Sequence, residues 1–224
     1  MATHDAGGYG QYCPISRAVE VLGERWTFLV VRDLLCGSTR FNDLARGNPG
    51  LSRSLLAKRL RQLELAGIVE RREGGYHLTD AGRDLEPVVF GLGAWAARWQ
   101  FDDPREEELD PQLLVWWVHD RLDFSGFGDR RTVLEFRFHG ERRRFWVVKD
   151  PLGTSVCMSE PSFGVDVLVK ADLRAMYKVW NGRLDLQAAL HEGLVEFIGA
   201  PAAVRLMPQV LLLSPVAALV KAAR

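Results

Sequence analysis

Net charge is the first thing this chain lacks, since 29 Lys and Arg offset 29 Asp and Glu. The total therefore says nothing about partners, and any electrostatic signal must lie in how the charges are distributed. Cysteine is scarce. Cys13, Cys36 and Cys157 are too few and too scattered for a disulfide framework, so a reducing setting, the cytoplasm, is expected. Long apolar runs are missing as well. The longest, Val210–Val220, is interrupted by Ser214 and Pro215 and falls short of the roughly 20 residues of a membrane span. The residues up to Tyr12 show no basic segment followed by an apolar one, so neither a secretory leader nor a membrane partner is expected.

The usual spacings of catalytic and metal sites are also missing. The histidines form no H-x-x-x-H pair and the cysteines no C-x-x-C, so no metal is expected. There is no G-x-S-x-G elbow. Gly91, Gly93 and Ala96 match a loose dinucleotide fingerprint. A helical apolar seam runs through it, however, and an acidic, proline-bearing stretch follows in place of a βαβ unit. The paired acids Asp102-Asp103 and Glu106–Glu108 lie in that solvated stretch. The expectation is a protein with no catalytic residues and no cofactor, hence not an enzyme.

What is present is a length of 224 residues with 47% hydrophobic content, enough for two ordinary domains, each with its own core. Residues 40–72 carry eight Arg and Lys against three acids, and 101–110 carry six acids against one Arg. Pro14 suits the first position of a helix, with Ile15, Ala18, Val19 and Leu22 on one face up to Gly23. Trp26, Val30 and Leu34 mark a second helix ending at Gly37, and Ser38 or Thr39 suits the cap of a third through Leu44 and Ala45. Ser52 is a good N-cap for a fourth helix running to Gly67. Strands at 68–72 and 76–78 around Glu73-Gly74-Gly75 read as a hairpin. Thr79 then suits the cap of one long helix to Trp99, bent at Pro87.

Three short helices, a helix with a polar front and a glycine-tipped hairpin follow the order of a winged helix-turn-helix. In the fourth helix Leu56, Leu60 and Leu63 share one face, while Ser54, Lys58 and Arg61 fall opposite, flanked by Arg53. An apolar back with donors in front is what a helix needs to enter a major groove. Arg40, Ser52, Arg53, Ser54, Lys58, Arg61 and the wing residues Arg71 and Arg72 are the candidate contacts to double-stranded DNA. Singly, each cation reads equally well as part of a solvated surface. Their order and local excess point to DNA.

Cys13-Pro14-Ile15, Leu22-Gly23-Glu24-Arg25-Trp26-Thr27 and Arg40-Phe41-Asn42-Asp43-Leu44 resemble the HxlR-type winged helix regulators. So do Leu51-Ser52, the Leu60 to Leu63 spacing, Leu65-Ala66-Gly67-Ile68-Val69 with Arg71, and Tyr76-His77-Leu78-Thr79-Asp80-Ala81-Gly82. The resemblance implies a bacterial-type transcription regulator, usually a homodimer. It also implies that Cys13, which precedes a helix N-terminus where aligned N–H groups favour a thiolate, corresponds to a cysteine that senses oxidants in some members. A small buried residue is the other reading of Cys13. Leu85, Val88, Leu92, Trp95 and Trp99 are spaced as a narrow seam that Leu22 can extend. Such a seam suits a second copy, and a two-fold axis would match an inverted-repeat operator.

Val165-Asp166-Val167, Val179-Trp180-Asn181-Gly182, Ala189, Gly193 and Val195-Glu196-Phe197-Ile198-Gly199 resemble the sterol-carrier-protein type of domain. That implies a mixed sheet with helices on one side, enclosing an apolar tunnel. The expected class is therefore α+β: a DNA-binding and dimerisation domain over 12–100, an acidic linker over 101–110, and a sterol-carrier-like ligand domain over 111–224. Its candidate pocket is Trp117, Phe136, Phe138, Trp146, Met176 and Trp180, for an apolar effector. Each of these is also an ordinary core residue by type. Two other functions stay open: a lipid or small-molecule carrier whose helical half only associates, and a redox-responsive regulator acting through Cys13.

Overall fold

The computed structural model describes residues 8–223. The expectation concerning a leader falls partly on the first seven residues, outside them. The chain divides into two compact units, with Leu92 ending the first and Gly93 beginning the second.

In the first unit α1 (Pro14–Leu22), α2 (Thr27–Leu35), α3 (Phe41–Gly47) and α4 (Arg53–Leu65) precede a ribbon of β1 (Val69–Arg72) and β2 (Gly75–Leu78). Pro14 opens α1 as its composition demands. Ser52 caps α4, its Oγ accepting from the Leu55 N–H at 3.3 Å. Neither Ser38 nor Thr39 caps α3. That helix begins one residue after Arg40, without a side-chain cap, because the Thr39 carbonyl is used elsewhere: it accepts from the Tyr76 N–H of β2 at 2.8 Å. Val30, Val31, Leu44, Leu56 and Leu60 are fully enclosed in this unit's core, each such side chain contributing about 1.5–3 kcal/mol by burial.

The long helix expected over 79–99 is two helices, α5 (Asp80–Arg83) and α6 (Glu86–Trp99). Thr79 caps only the first, accepting from the Gly82 N–H at 3.2 Å. Pro87 does not bend a helix. It lies in the first turn of α6, where its missing N–H costs nothing. The break leaves Leu85 free to pack on the core of the first unit.

The second unit carries α7 (Pro111–His119), β3 (Thr132–Phe138), β4 (Phe145–Asp150), β5 (Gly153–Cys157), β6 (Val167–Ala171), α8 (Leu173–Trp180), α9 (Leu186–His191), β7 (Val195–Gly199), α10 (Pro201–Val210) and α11 (Ala217–Ala222). Its sheet runs β5-β4-β3-β6-β7, and the central β3–β6 pair is parallel. Alternation sends Leu134, Phe136 and Phe138 into the large core shared with α7, α8 and α10, and Val133, Glu135 and Arg137 to the opposite face. Asp172 and Asp185 cap α8 and α9 through their carboxylates.

The acidic segment over 101–110 is tied to α8 rather than solvated throughout. Lys178 reaches the Asp103 carboxylate at 2.5 Å, Arg174 pairs with Glu106, and the Tyr177 hydroxyl donates to the Asp110 carbonyl at 3.0 Å. Lys178 holds the Asp103 carboxyl below the usual carboxylate range. No helix of the described residues is long and apolar enough to cross a membrane.

Candidate nucleic-acid interface

The helix-turn-helix is assembled by buried polar contacts. Asp33 of α2, almost fully buried, accepts from the Asn48 amide at 2.5 Å, and the same amide donates to the Leu44 carbonyl at 2.9 Å. The turn between α3 and α4 is thus tied to α2. Burial pushes the Asp33 carboxyl up, against the lowering effect of Arg32 and Asn48. Trp26 lies in the left-handed region at φ 80°, a costly conformation for a bulky residue. It is accommodated because Gly50 has no side chain: a Cβ there would come within 3.0 Å of the indole.

Arg59 takes the position the opposite way from its neighbours. Its side chain is 7% exposed. It donates to the Arg25 carbonyl at 3.0 Å, to Gln62 at 2.6 Å and to the Glu24 carboxylate at 2.6 Å. The Leu22-Gly23-Glu24-Arg25-Trp26 segment is therefore a receptacle that fixes α4. Sequence reasoning passed over Arg59, although at 100° per residue it falls on the flank of the inner face, about 40° from Leu63. Asp33 and Asn48 carried no signal before the turn was folded.

Lys58 and Arg61 stand on the outer face of α4, exposed and with no ion-pair partner among the described residues. Ser54 is exposed beside them, its Oγ 3.2 Å from that of Ser52. Arg53 is tethered: it donates to the Asn42 amide oxygen at 2.8 Å and lies over the Phe41 ring at 4.9 Å. Arg40, also exposed, is the N-cap of α3. The wing closes in a two-residue turn with Glu73 and Gly74 both at positive φ, the hairpin form whose twist suits the ribbon. Arg71 and Arg72 point to opposite faces of the ribbon. Arg71 lies over the Tyr76 ring at 5.0 Å, and Arg72 is 3.5 Å from Glu70. Gly82 locks the ribbon to α5, where a Cβ would meet the Ile68 carbonyl at 2.2 Å.

The seam residues separate. Val88, Leu92, Trp95 and Trp99 are exposed along α6, and Ile15 and Val19 along α1. Leu22 does not extend the seam. It is 6% exposed and belongs to the core of its own unit, and Leu85 packs against that core. Cys13 is the half-buried N-cap of α1. The six pocket candidates do not face one common space. Phe136, Phe138, Met176 and Trp180 fill the large core with Trp117 packed against it, while Trp146 lies on the other face of the sheet with Val133 and Val148. The period-2 alternation of β4 makes that split.

A buried turn tying α3 to α4, an α4 with an enclosed back and a free cationic front, and a short ribbon behind it define a helix-turn-helix DNA-binding regulator. The HxlR-like helix-turn-helix family model matches residues 21–103. The chain is 38% identical over 112 residues to the uncharacterised HTH-type transcriptional regulator YvaP of Bacillus subtilis, covering 46% of this chain and 95% of that one. It is 36% identical over 100 residues to the HTH-type transcriptional regulator YodB of the same organism, covering 41% and 88%. Among solved structures, the quinone-bound YodB is 37% identical over 39% of this chain and 99% of that one, with a TM-score of 0.36. The chain belongs to the HxlR-like helix-turn-helix family of transcription regulators.

Proposed function

We propose that the protein is a homodimer that reads an inverted-repeat operator, with α4 in the major groove and the β1–β2 ribbon on flanking phosphates. The carrying observation is the contrast within one helix. Arg59 is consumed by structural contacts, whereas Lys58 and Arg61 are exposed without carboxylate partners, as phosphate or base contacts must be. The exposed stripe Val88, Leu92, Trp95 and Trp99 supports pairing of two copies, because large apolar side chains in a row on one helix are costly to leave in water.

For the second unit we infer a sterol-carrier-like module serving ligand control. Small residues support this reading. Gly182 lies at φ +76° with Ala217 against it, Ala189 is fully buried, Gly193 lies at φ +69°, and Gly199 passes so close to Asp166 that a Cβ would sit 2.4 Å from its carbonyl. Thiol control through Cys13 is a second reading, favoured by the half-exposed place of that residue at the head of α1. Alkylation by iodoacetamide that weakens DNA binding of the wild type but not of Cys13→Ser supports it. Equal loss in both refutes it.

The test of the main reading is fluorescence anisotropy on DNA upstream of the protein's own gene, with random duplex as competitor, across a salt series. Binding should resist the competitor. In Lys58→Ala/Arg61→Ala the slope of log K against log salt should fall by about 2, at ~0.9 per lost phosphate contact. An unchanged slope in a folded double variant refutes the assignment of α4.

A further inference from the structure

The face of the second sheet that points away from its large core carries a cleft of about 340 Å³ at one end. The register builds it. Arg137 of β3 stands opposite Lys170 of β6, Glu135 stands opposite Leu168, and the 139–144 hairpin closes the side. Five cations line the walls, Arg137, Arg142, Arg143, Arg144 and Lys170, against a single lining carboxylate, Glu141. Leu168 supplies apolar surface between them, the Phe138 ring being turned to the large core on the other face.

Three of the five are braced from the side. Buried Glu135 takes Arg137 on both oxygens, at 2.6 and 3.1 Å. Glu141 takes Arg143 at 2.7 Å and is pulled down to about 2 by that bond and by the Arg143 N–H, so the pair persists at any working pH. Glu196 stands 3.7 Å from Lys170. Glu160 acts on Arg137, and Asp110 on Arg143, from further off. Arg142 has no carboxylate partner among the described residues, and Arg144 comes only within 4.0 Å of Glu135, which Arg137 already occupies. The bracing holds an arginine-rich cleft in shape and leaves two guanidinium groups without a full counter-charge.

We propose that this cleft binds a small aromatic acid, its carboxylate or sulfonate on Arg142 and Arg144 and its ring against Leu168 and the guanidinium planes. Guanidinium pairs oxyanions through two parallel donors and also stacks on aromatic rings, and the volume lies in the range of small-molecule sites. Four arginines to one lysine favour a planar acid over a compact ion. The proposal does not depend on DNA binding and is tested without DNA.

The probe is 8-anilinonaphthalene-1-sulfonate, titrated into the full chain by fluorescence and displaced by 1-naphthoate. The expected result is saturable binding, weakened about tenfold or more in Arg142→Gln/Arg144→Gln. Displacement by 1-naphthoate but not by the neutral 1-naphthalenemethanol is also expected. Circular dichroism confirms that the variant is folded, and Arg142→Lys/Arg144→Lys should recover part of the affinity. Unchanged affinity in the glutamine variant overturns the proposal. So does equal displacement by the neutral alcohol, which would place the probe on an apolar surface such as the α6 stripe.

Discussion

Replacing Arg59 by Ala separates the structural from the DNA-facing cations of α4, two residues that adjoin in the chain. Arg59 loses a charged donor to the Arg25 carbonyl, a bond to Gln62 and a bond to Glu24. A hydrogen bond involving an ionised group contributes about 1.5–3 kcal/mol. The Glu24 partner is 56% exposed, so that pair adds at most about 1 kcal/mol. Truncation also removes the buried methylene stem, so a total of about 3 kcal/mol follows. For a unit of this size, about 1 kcal/mol moves the midpoint by some 4–8 °C, so the first unit of Arg59→Ala should melt more than about 10 °C lower. Lys58→Ala, exposed and unpartnered, should stay within about 0.5 kcal/mol of wild type. It should nonetheless lose DNA affinity below the melting range, where Arg59→Ala retains most of its own. Thermal unfolding followed by far-UV circular dichroism, with anisotropy at 15 °C, reads both. An undisturbed melt in Arg59→Ala, or a destabilised Lys58→Ala, would refute the division of roles.

Gly82→Ala should cost about 2–4 kcal/mol, because its Cβ would stand 2.2 Å from a backbone carbonyl that cannot step aside. Urea unfolding at the wild-type level would show that α5 and β1 are less closely packed. Asn48→Ala should cost about 2–4 kcal/mol at pH 7.5 by taking the Asn48 donor from the buried Asp33 Oδ2 and from the Leu44 carbonyl, with Arg32 remaining on Oδ1. The Asp33 carboxyl is already raised by burial, so the folded state holds its proton above the unfolded value. Stability therefore falls as pH rises from 3.8 through the folded pKa. Removing Asn48 raises that pKa further, so the penalty should shrink at pH 5, and an equal penalty at both pH values would contradict this. Leu92→Asp/Trp95→Asp, placed on the exposed stripe of α6, should convert a dimeric mass in light scattering to a monomeric one with the melting midpoint kept. A monomeric wild type at micromolar concentration would remove the dimer.

Much of the regulator was legible before folding because its signals are local. Pro14 and Ser52 mark helix starts, since each acts through its own residue and the next few N–H groups. The Glu73-Gly74 tip declares a hairpin because both positions need positive φ. The outward face of α4 follows from spacing alone, since Leu56, Leu60 and Leu63 must turn inward. These features make the chain a helix-turn-helix protein whatever the rest does.

Tertiary structure decided what distant segments do to one another. The parallel β3–β6 pairing joins residues some thirty apart in the chain, and no local rule announces it. That pairing, with the alternation of β4, sends Trp146 to one face and Phe145 and Val147 to the other, dividing what composition had grouped as one pocket. It also brings Arg137, Arg144 and Lys170 around one cleft, a charge cluster that is scattered in sequence. The expected long helix breaks after Arg83, where Pro87 has no N–H to offer the Arg83 carbonyl, and Leu85 at the break packs on the first core. Arg59 is drawn inward by acceptors 34 and 35 residues away. Periodicity assigns each residue to a face of its own element. Only the closed core determines which residues meet across elements, because burial energy depends on pairs that the chain brings together after its local structure has formed.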